Sequence, residues 1–428
     1  MKKVILVLMI LFTTLSMRGQ QPHDLNTLAK QEIKIVSDTM GCRMMVDGKP
    51  FFLKGMNWDY FPIGTNYSYS LWRQPDDVIK AALDKEMLLL SEMGVNVIRQ
   101  YSSIPPCWVQ YIYEKYGIYT MINHSFGRYG LIVNGIDYNN TEYCQKDVKE
   151  ELLKEVCKLA NTYKDTPGVI MYLLGNENNY GLFWKGAETE DIPIADRHSV
   201  KEARCMYELF NEATLSIKAI DPSRPVAICN GDLMFLDIIA EVCKDIDIFG
   251  VNSYRGDSFD ILFKDVKEKY GKPVLFTEFG ADALNAITDQ EAQREQAEIL
   301  LNNWQEIYLN AAGMDLYDNC IGGFTFQFSD GWWKHGQKIN LDIHDAHASW
   351  ANGGYRFDYV KGKNNMNEEW FGICAKGFPD EKGLYELYPR IAYKALSEIH
   401  KKDPYTSTPS AIQQHFNAVK ESIKGFKN

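Results

Sequence analysis

The chain has 428 residues, of which 45% are hydrophobic, 13% aromatic and 24% charged, enough to bury one large domain or two modest ones. Its net charge of −11 argues against nucleic acid or an anionic membrane surface as a partner, because both require basic patches. A neutral or cationic ligand fits that balance.

The N-terminus, "MKKVILVLMILFTTLSMRGQQPHD", sets Lys2 and Lys3 before an apolar run from Val4 to Phe12. That run is far shorter than the roughly 20 residues a membrane span needs, so residues 1–20 are expected to be a cleaved signal peptide and no membrane insertion is expected. Cleavage removes Lys2, Lys3 and Arg18 but no acid, and takes the charge to −14. The mature protein is then exported, to a periplasm or the outside. Nine cysteines, scattered singly and mostly within apolar periodic segments, predict buried free thiols rather than a disulfide framework, with at least one unpaired.

Residues 21–40 form an N-terminal segment. After the hairpin turn "VDGKP", short β-rich runs alternate with helical patterns. "PFFLKGMNW" is the first strand, and a helix follows from Asp76 and Asp77 to Gly94. "VNVIRQYS", "GIYTMINHS" and "GVIMYLLG" are the second, third and fourth strands, with a helix in "KDVKEELLKEVCKLANTY" before the fourth. "RPVAICNG", "IDIFGVNSY", "KPVLFTEFG" and "IGGFTFQFS" complete a set of eight. Helical segments around Val200–Ile220, Leu233–Cys243, Phe259–Lys269 and Gln290–Ala312 precede these, and one near Tyr385–His400 closes the series.

Eight buried-type strands alternating with helices predict an α/β fold, a single (β/α)8 TIM barrel over residues 41–402. A doubly wound sheet would want a Gly-rich phosphate loop after the first strand, which "KGMNWDYF" is not. The stretch from Asp330 to Lys382 is a long loop over the barrel mouth, and residues 403–428 are a C-terminal tail.

Such barrels keep their chemistry at the C-terminal strand ends. Those ends carry Asn57, Trp58 and Asp59; Arg99 and Tyr101; Asn123 and His124; Asn176 and Glu177; Asn230 and Asp232; Asn252 and Tyr254; Glu278; and Gln327, Asp330, Trp332 and Trp333. Glu177 ends the fourth strand and Glu278 the seventh, across the barrel, so both acids can enter one cleft. Paired carboxylates flanking a bond are what glycoside hydrolysis requires.

"GNENN", "TEFG" and "FTFQFSDGWW" resemble the clan of retaining glycosidases built on TIM barrels. "IDPSRPVAICNG" and "TEFGADA" look most like the catalytic barrel of family 2 glycoside hydrolases, which includes β-galactosidases, β-glucuronidases and β-mannosidases. "VDGKPFFLKGMNWDYFP" resembles the first strand of fungal-type β-1,3-glucanosyltransferases. The resemblance implies Glu177 as general acid/base and Glu278 as nucleophile of a retaining β-glycosidase, with transglycosylation as the alternative fate of the same intermediate. It implies Asn176 on the substrate 2-hydroxyl, Arg99 and Tyr254 steadying the nucleophile, and Trp332 as a sugar platform. The β-sandwich domains of family 2 have no room in residues 21–40.

His124 and Asn252 are further mouth candidates for substrate contact, and Trp58, Trp184, Trp333 and Trp370 are candidate subsite linings. Asp282 is either a subsite residue or a helix N-cap, and Glu368, Glu369 and Trp370 are expected to fold over the mouth. His344, Asp345 and His347 lie close together, but a barrel metallohydrolase would want His-x-His after the first strand, so no metal and no cofactor is called for. The expected partner is an oligo- or polysaccharide; a barrel that binds sugar without catalysis is the remaining alternative.

Overall fold

The computed structural model describes residues 31–185 and 191–425; the leader expected at residues 1–20 and the side chain of Trp184 lie outside what is described. Eight parallel strands close into a barrel in chain order: β1 (Leu53–Asn57), β2 (Val97–Gln100), β3 (Tyr119–His124), β4 (Val169–Leu174), β5 (Val226–Gly231), β6 (Ile248–Asn252), β7 (Val274–Phe279) and β8 (Cys320–Thr325). Closure runs through β8 and β1, with Gly322 opposite Leu53 and Thr325 opposite Met56. Six of the eight strands are buried at every residue, as parallel strands covered on both faces must be.

Period-two alternation divides each strand between two apolar clusters. Leu53, Val97, Met121, Met171, Cys229 and Leu275 belong to a cluster inside the barrel, and Met56, Ile98, Ile122, Tyr172, Ile228 and Phe276, each an odd number of residues along the same strand, to the larger cluster under the helices. The N-terminal segment closes the barrel floor. Ile33–Asp38, Gly41–Val46 and Lys49–Pro50 form a three-stranded antiparallel sheet whose Ile33, Met44 and Val46 join the inner cluster.

The helical layer begins with α1 (Asp76–Met93). Its first turn carries Asp76 and Asp77 against the positive helix end, and Gly94 ends it in the left-handed region (φ 87°), donating back to Leu90 and Ser91. A second helix, α2 (Pro106–Tyr116), was not expected. Its "PPCWVQYIYEKY" opens on two prolines and is rich in aromatic and β-branched residues, which weakens a helical signal, although proline suits a first turn. Then follow α3 (Lys146–Tyr163), α4 (His198–Ile220), α5 (Leu236–Val242), α6 (Leu262–Lys269), α7 (Gln293–Leu309) and α8 (Ile391–Ile399). No helix among the described residues is long and apolar enough to cross a membrane.

Two expectations are corrected. The C-terminal tail carries α9 (Pro409–Ile423), capped by the Thr408 side chain on the Ala411 amide, with Ile412, Phe416 and Ile423 buried and Phe416 edge-on to Tyr308 of α7. Cys144 and Cys205 form a disulfide, joining the segment before α3 to α4 across 61 residues with Cα atoms 5.2 Å apart. The other seven cysteines are free, and five of these are buried.

The long loop after β8 is held from below. Asp330 and Arg390, both buried, pair through two bonds of 2.6 and 2.8 Å, and Arg390 also bonds the Gly372 carbonyl. Asp282 is neither a subsite residue nor a helix cap: its buried carboxylate accepts the Asn367 amide at 2.6 Å, with its pKa pushed up by burial.

Replacing Cys144 or Cys205 by serine is expected to lower stability by about 2–4 kcal/mol, because the crosslink restricts a long loop of the unfolded chain. Chemical denaturation of each variant beside the oxidised protein measures it; equal stability would mean that the bridge contributes nothing.

Candidate active site

On β2, alternation turns Val97, Arg99 and Tyr101 to the barrel axis and Ile98 and Gln100 to the helices. Arg99 has no exposed surface, so each of its donors needs a partner. Nε donates to Asn123 Oδ1 at 2.9 Å; Nη1 donates to Glu278 Oε1 at 2.9 Å and to the Thr277 carbonyl; Nη2 donates to Asn176 Oδ1 at 2.8 Å.

Glu278 reaches the axis through a bulge. Phe276 pairs with Val251 but Glu278 with Asn252, so Thr277 is an extra residue on β7 that turns the next side chain inward. Besides Arg99, Tyr101 donates its hydroxyl to Oε1 at 2.6 Å and Tyr254 to Oε2 at 3.0 Å. Glu278 is 7% exposed. Phe326 lies edge-on to both tyrosines, with centroids 6.5 and 6.4 Å away.

Glu177 is placed by a turn rather than a strand. Gly175 has φ 84°, and a Cβ there would fall 2.6 Å from Asn178 Oδ1. Glu177 itself sits at φ 56°, a conformation that costs a non-glycine residue roughly 1–3 kcal/mol. The amides around it hold that geometry. Asn178 Oδ1 accepts the Asn176 N–H, and its Nδ2 donates to the Phe126 carbonyl and the Tyr143 hydroxyl. Asn179 exchanges two bonds with Gly231 of β5, and the Glu177 N–H donates to the Cys229 carbonyl at 3.0 Å. The Glu177 carboxyl is pushed up to about 7, chiefly by burial and then by the negative charge of Glu278, while the Asn252 amide, Arg128 and Arg99 oppose the rise.

Arg99, Asn176, Asn252, Tyr254, Glu177 and Glu278 are thus brought together, with Asn252 Nδ2 on Asn176 Oδ1 at 3.1 Å. One member was read at the mouth without a role and one was missed. Tyr101, named there beside Arg99, stands two residues after it on the same face, and it is this alternation that brings its hydroxyl to Glu278. Tyr129, from the loop after β3, accepts the Asn176 Nδ2 at 2.8 Å, and nothing in its local sequence marks it.

The other candidates have partners outside this cluster. Trp58 is fully buried on the helix side of β1, its indole donating to Glu86 at 2.5 Å, because Asn57 takes the inward position. His124 likewise follows the inward Asn123 and faces α3, with Nε2 3.4 Å from Glu155 and Nδ1 accepting the Phe126 amide. Trp332 has one face covered by His344, stacked at 4.5 Å, and His344 is stacked on its other side by Trp370 at 3.8 Å. Trp333 packs against Phe61 and Tyr67, and Glu369 is buried within the loop. Asp345 pairs with Lys334 at 2.5 Å. Among the described residues no group of three or more His, Cys, Asp or Glu is placed to hold a metal ion.

Residues 40–333 match the family model for glycosyl hydrolases family 2, TIM barrel domain. The chain belongs to that family. A 1,3-beta-glucanosyltransferase, GAS4 of Saccharomyces cerevisiae, is 25% identical over 311 residues, covering 66% of this chain and 56% of its own. A beta-glucuronidase of Rattus norvegicus is 24% identical over 282 residues, covering 62% and 37%. The chain therefore spans about half or less of the length of these relatives. Among solved structures, the family 2 beta-galacturonidase of Eisenbergiella tayi bound to galacturonate superposes with TM-score 0.52 at 16% identity, covering 87% of this chain and 54% of that one. Beta-glucuronidase 2 of Bacteroides uniformis gives 0.56 at 14%, covering 87% and 37%. These structural likenesses establish the fold.

In this family 2 barrel, Arg99→Leu is expected to cost about 3–5 kcal/mol, because it leaves the buried Glu278 carboxylate without its cation; denaturant unfolding tests it, and a loss under about 1 kcal/mol would deny the pairing that role. Glu177 gives a second test. Its folded pKa is raised, so the folded state holds the proton more tightly and stability falls as pH rises from about 4.5 towards about 7. Glu177→Gln lacks that loss, so its stability relative to wild type should increase between those pH values; a parallel pH dependence of the two unfolding midpoints would contradict the raised pKa.

Proposed function

We propose that this barrel cleaves β-linked glycans with retention through a covalent glycosyl-enzyme. The observation that carries the reading is the unlike setting of two acids in one cleft: three donors converge on Glu278, while burial and a neighbouring negative charge favour the protonated form of Glu177. Glu278 attacks the anomeric carbon as Glu177 gives its proton to the departing glycosidic oxygen. The bond to the leaving group breaks, and a glycosyl ester on Glu278 forms. Glu177, now ionised, takes a proton from water, whose oxygen attacks the same carbon and frees Glu278. The Asn176 amide, oriented by Arg99 and Asn252, is aimed at the 2-hydroxyl. Phe326, against the two tyrosines, offers an apolar face to the sugar.

Transfer to a second sugar instead of water is the other reading of the same intermediate, and the likeness to a glucanosyltransferase favours including it. We place the reaction outside the cytoplasm, a reading supported by the leader pattern at residues 1–20 and by the Cys144–Cys205 bridge, which suits an oxidising compartment.

Hydrolysis of aryl β-glycosides (glucoside, galactoside, mannoside, xyloside, glucuronide, galacturonide) is the test, with Glu278→Gln and Glu177→Gln beside wild type. We expect Glu278→Gln to abolish turnover of whichever sugar is accepted, while Glu177→Gln keeps part of the first step on the most activated leaving groups. Wild-type kcat/KM should decline as pH rises through about 7, where Glu177 loses its proton. An unchanged rate for Glu278→Gln would overturn the nucleophile assignment.

A further inference from the structure

Thr277, the extra residue of the β7 bulge, takes no part in the reaction described above, yet its side chain is fully buried against the site. Its carbonyl accepts Arg99 Nη1 and Asn57 Nδ2, both at 3.1 Å, so its backbone is held without help from its hydroxyl. The hydroxyl donates to Asn252 Oδ1 at 2.7 Å, and the Cys229 thiol, a weaker donor, lies 3.2 Å from the same oxygen. Gly250, two residues before Asn252 on β6, leaves room for this threonine: a Cβ there would fall 2.9 Å from Thr277 Cγ2.

A hydroxyl can give or accept a hydrogen bond, so its neighbours decide the direction of this one. Arg99 can only donate, and its Nη2 lies 2.8 Å from the Asn176 amide, so the atom it meets is the oxygen. The Asn252 atom 3.1 Å from that same oxygen must then be the nitrogen. Asn252 Oδ1 is left facing Thr277, and the hydroxyl has to donate. Without that hydroxyl a buried carbonyl keeps a thiol as its donor, and turning the Asn252 amide over would set two oxygens against each other.

Asn252 passes this orientation to both partners above it. Its nitrogen bonds Asn176, and its amide also donates to the Glu177 carboxyl, where it is the largest of the effects that hold the pKa of that acid down. The titratable and charged groups around Glu177 are Glu278, Arg99, Arg128, Tyr180, Cys229 and Tyr254, and a neutral residue at position 277 adds or removes no charge among them. We infer that Thr277 is a positioning residue of the function proposed above, on which this inference rests: its hydroxyl locks the Asn252 amide, and through it Asn176 and Glu177, in the arrangement that serves the 2-hydroxyl and the departing oxygen.

Thr277→Val, which keeps the shape and removes the hydroxyl, is the test, with Thr277→Ser as the variant that keeps the donor. On the aryl glycoside that wild type accepts, we expect Thr277→Val to lower kcat/KM about tenfold and to move the alkaline limb of its pH profile up by about one unit, as loss of one hydrogen bond to a carboxylate requires. Thr277→Ser should keep both near wild type, and Thr277→Val should add little once Asn252→Ala is present. A limb that stays in place, or a loss that simply adds to that of Asn252→Ala, would overturn the role while the two acids keep theirs. Should the valine variant fail to fold, Thr277→Ala against Thr277→Ser reads the same shift. If no sugar of the panel turns over, the proposed function falls, and the Thr277–Asn252–Glu177 link is read from unfolding instead. The pH at which the stability difference from Glu177→Gln levels off should then be higher with Thr277→Val than without it, and an equal pH would overturn the link.

Discussion

The Arg99 guanidinium, sealed in the barrel, is the constraint on which the site depends. A buried cation is tolerated only when its charge is matched and its donors are used. Glu278 supplies the charge, and Asn123, Asn176 and the Thr277 carbonyl take the remaining donors. One side chain therefore ties β2 to β3, to β7 and to the turn after β4. It fixes the acid on one wall and the first residue of the turn that presents the acid on the other.

The turn shows how local strain and local bonding are balanced. Glu177 adopts a backbone conformation that few side chains accept, and the run "NENN" surrounds it with amides that have no freedom left to favour another. Only Asn176 of the three asparagines faces the cleft. Asn178 and Asn179 bond backbone and a buried tyrosine, so two residues that look like ligands by composition are scaffolding.

All eight barrel strands were legible, because strands buried on both faces read as uninterrupted apolar runs bounded by turns. The two acids and Arg99 were legible as polar residues at strand ends. The misplacements of Trp58 and His124 share one cause, a phase of one residue. On β1 and β3 the inward positions are Asn57 and Asn123, so Trp58 and His124 face the helices. The same period, counted from Arg99, turns Tyr101, read at the mouth without a role, towards Glu278. What the sequence could not carry was distance. Cys144 and Cys205 meet only because α3 and α4 pack side by side, and Tyr129 meets Asn176 only because a loop folds back over the mouth. In α2, paired prolines and aromatic residues masked a helix that packing against β3 stabilises.

The small sheet under the barrel has a consequence for how the chain reaches this structure. Its residues are the earliest of the described chain, yet Ile33 bonds the Ser223 carbonyl, Cys42 bonds that of Asp318, and Ile33, Met44 and Val46 pack in one cluster with Leu275 and Ile321. These contacts join segments roughly two to three hundred residues apart, and such closures come late because their entropic cost precedes any reward. The floor is therefore sealed only after the seventh and eighth strands have been added. Until then the apolar inner faces of the first strands stay without the cover that this sheet provides.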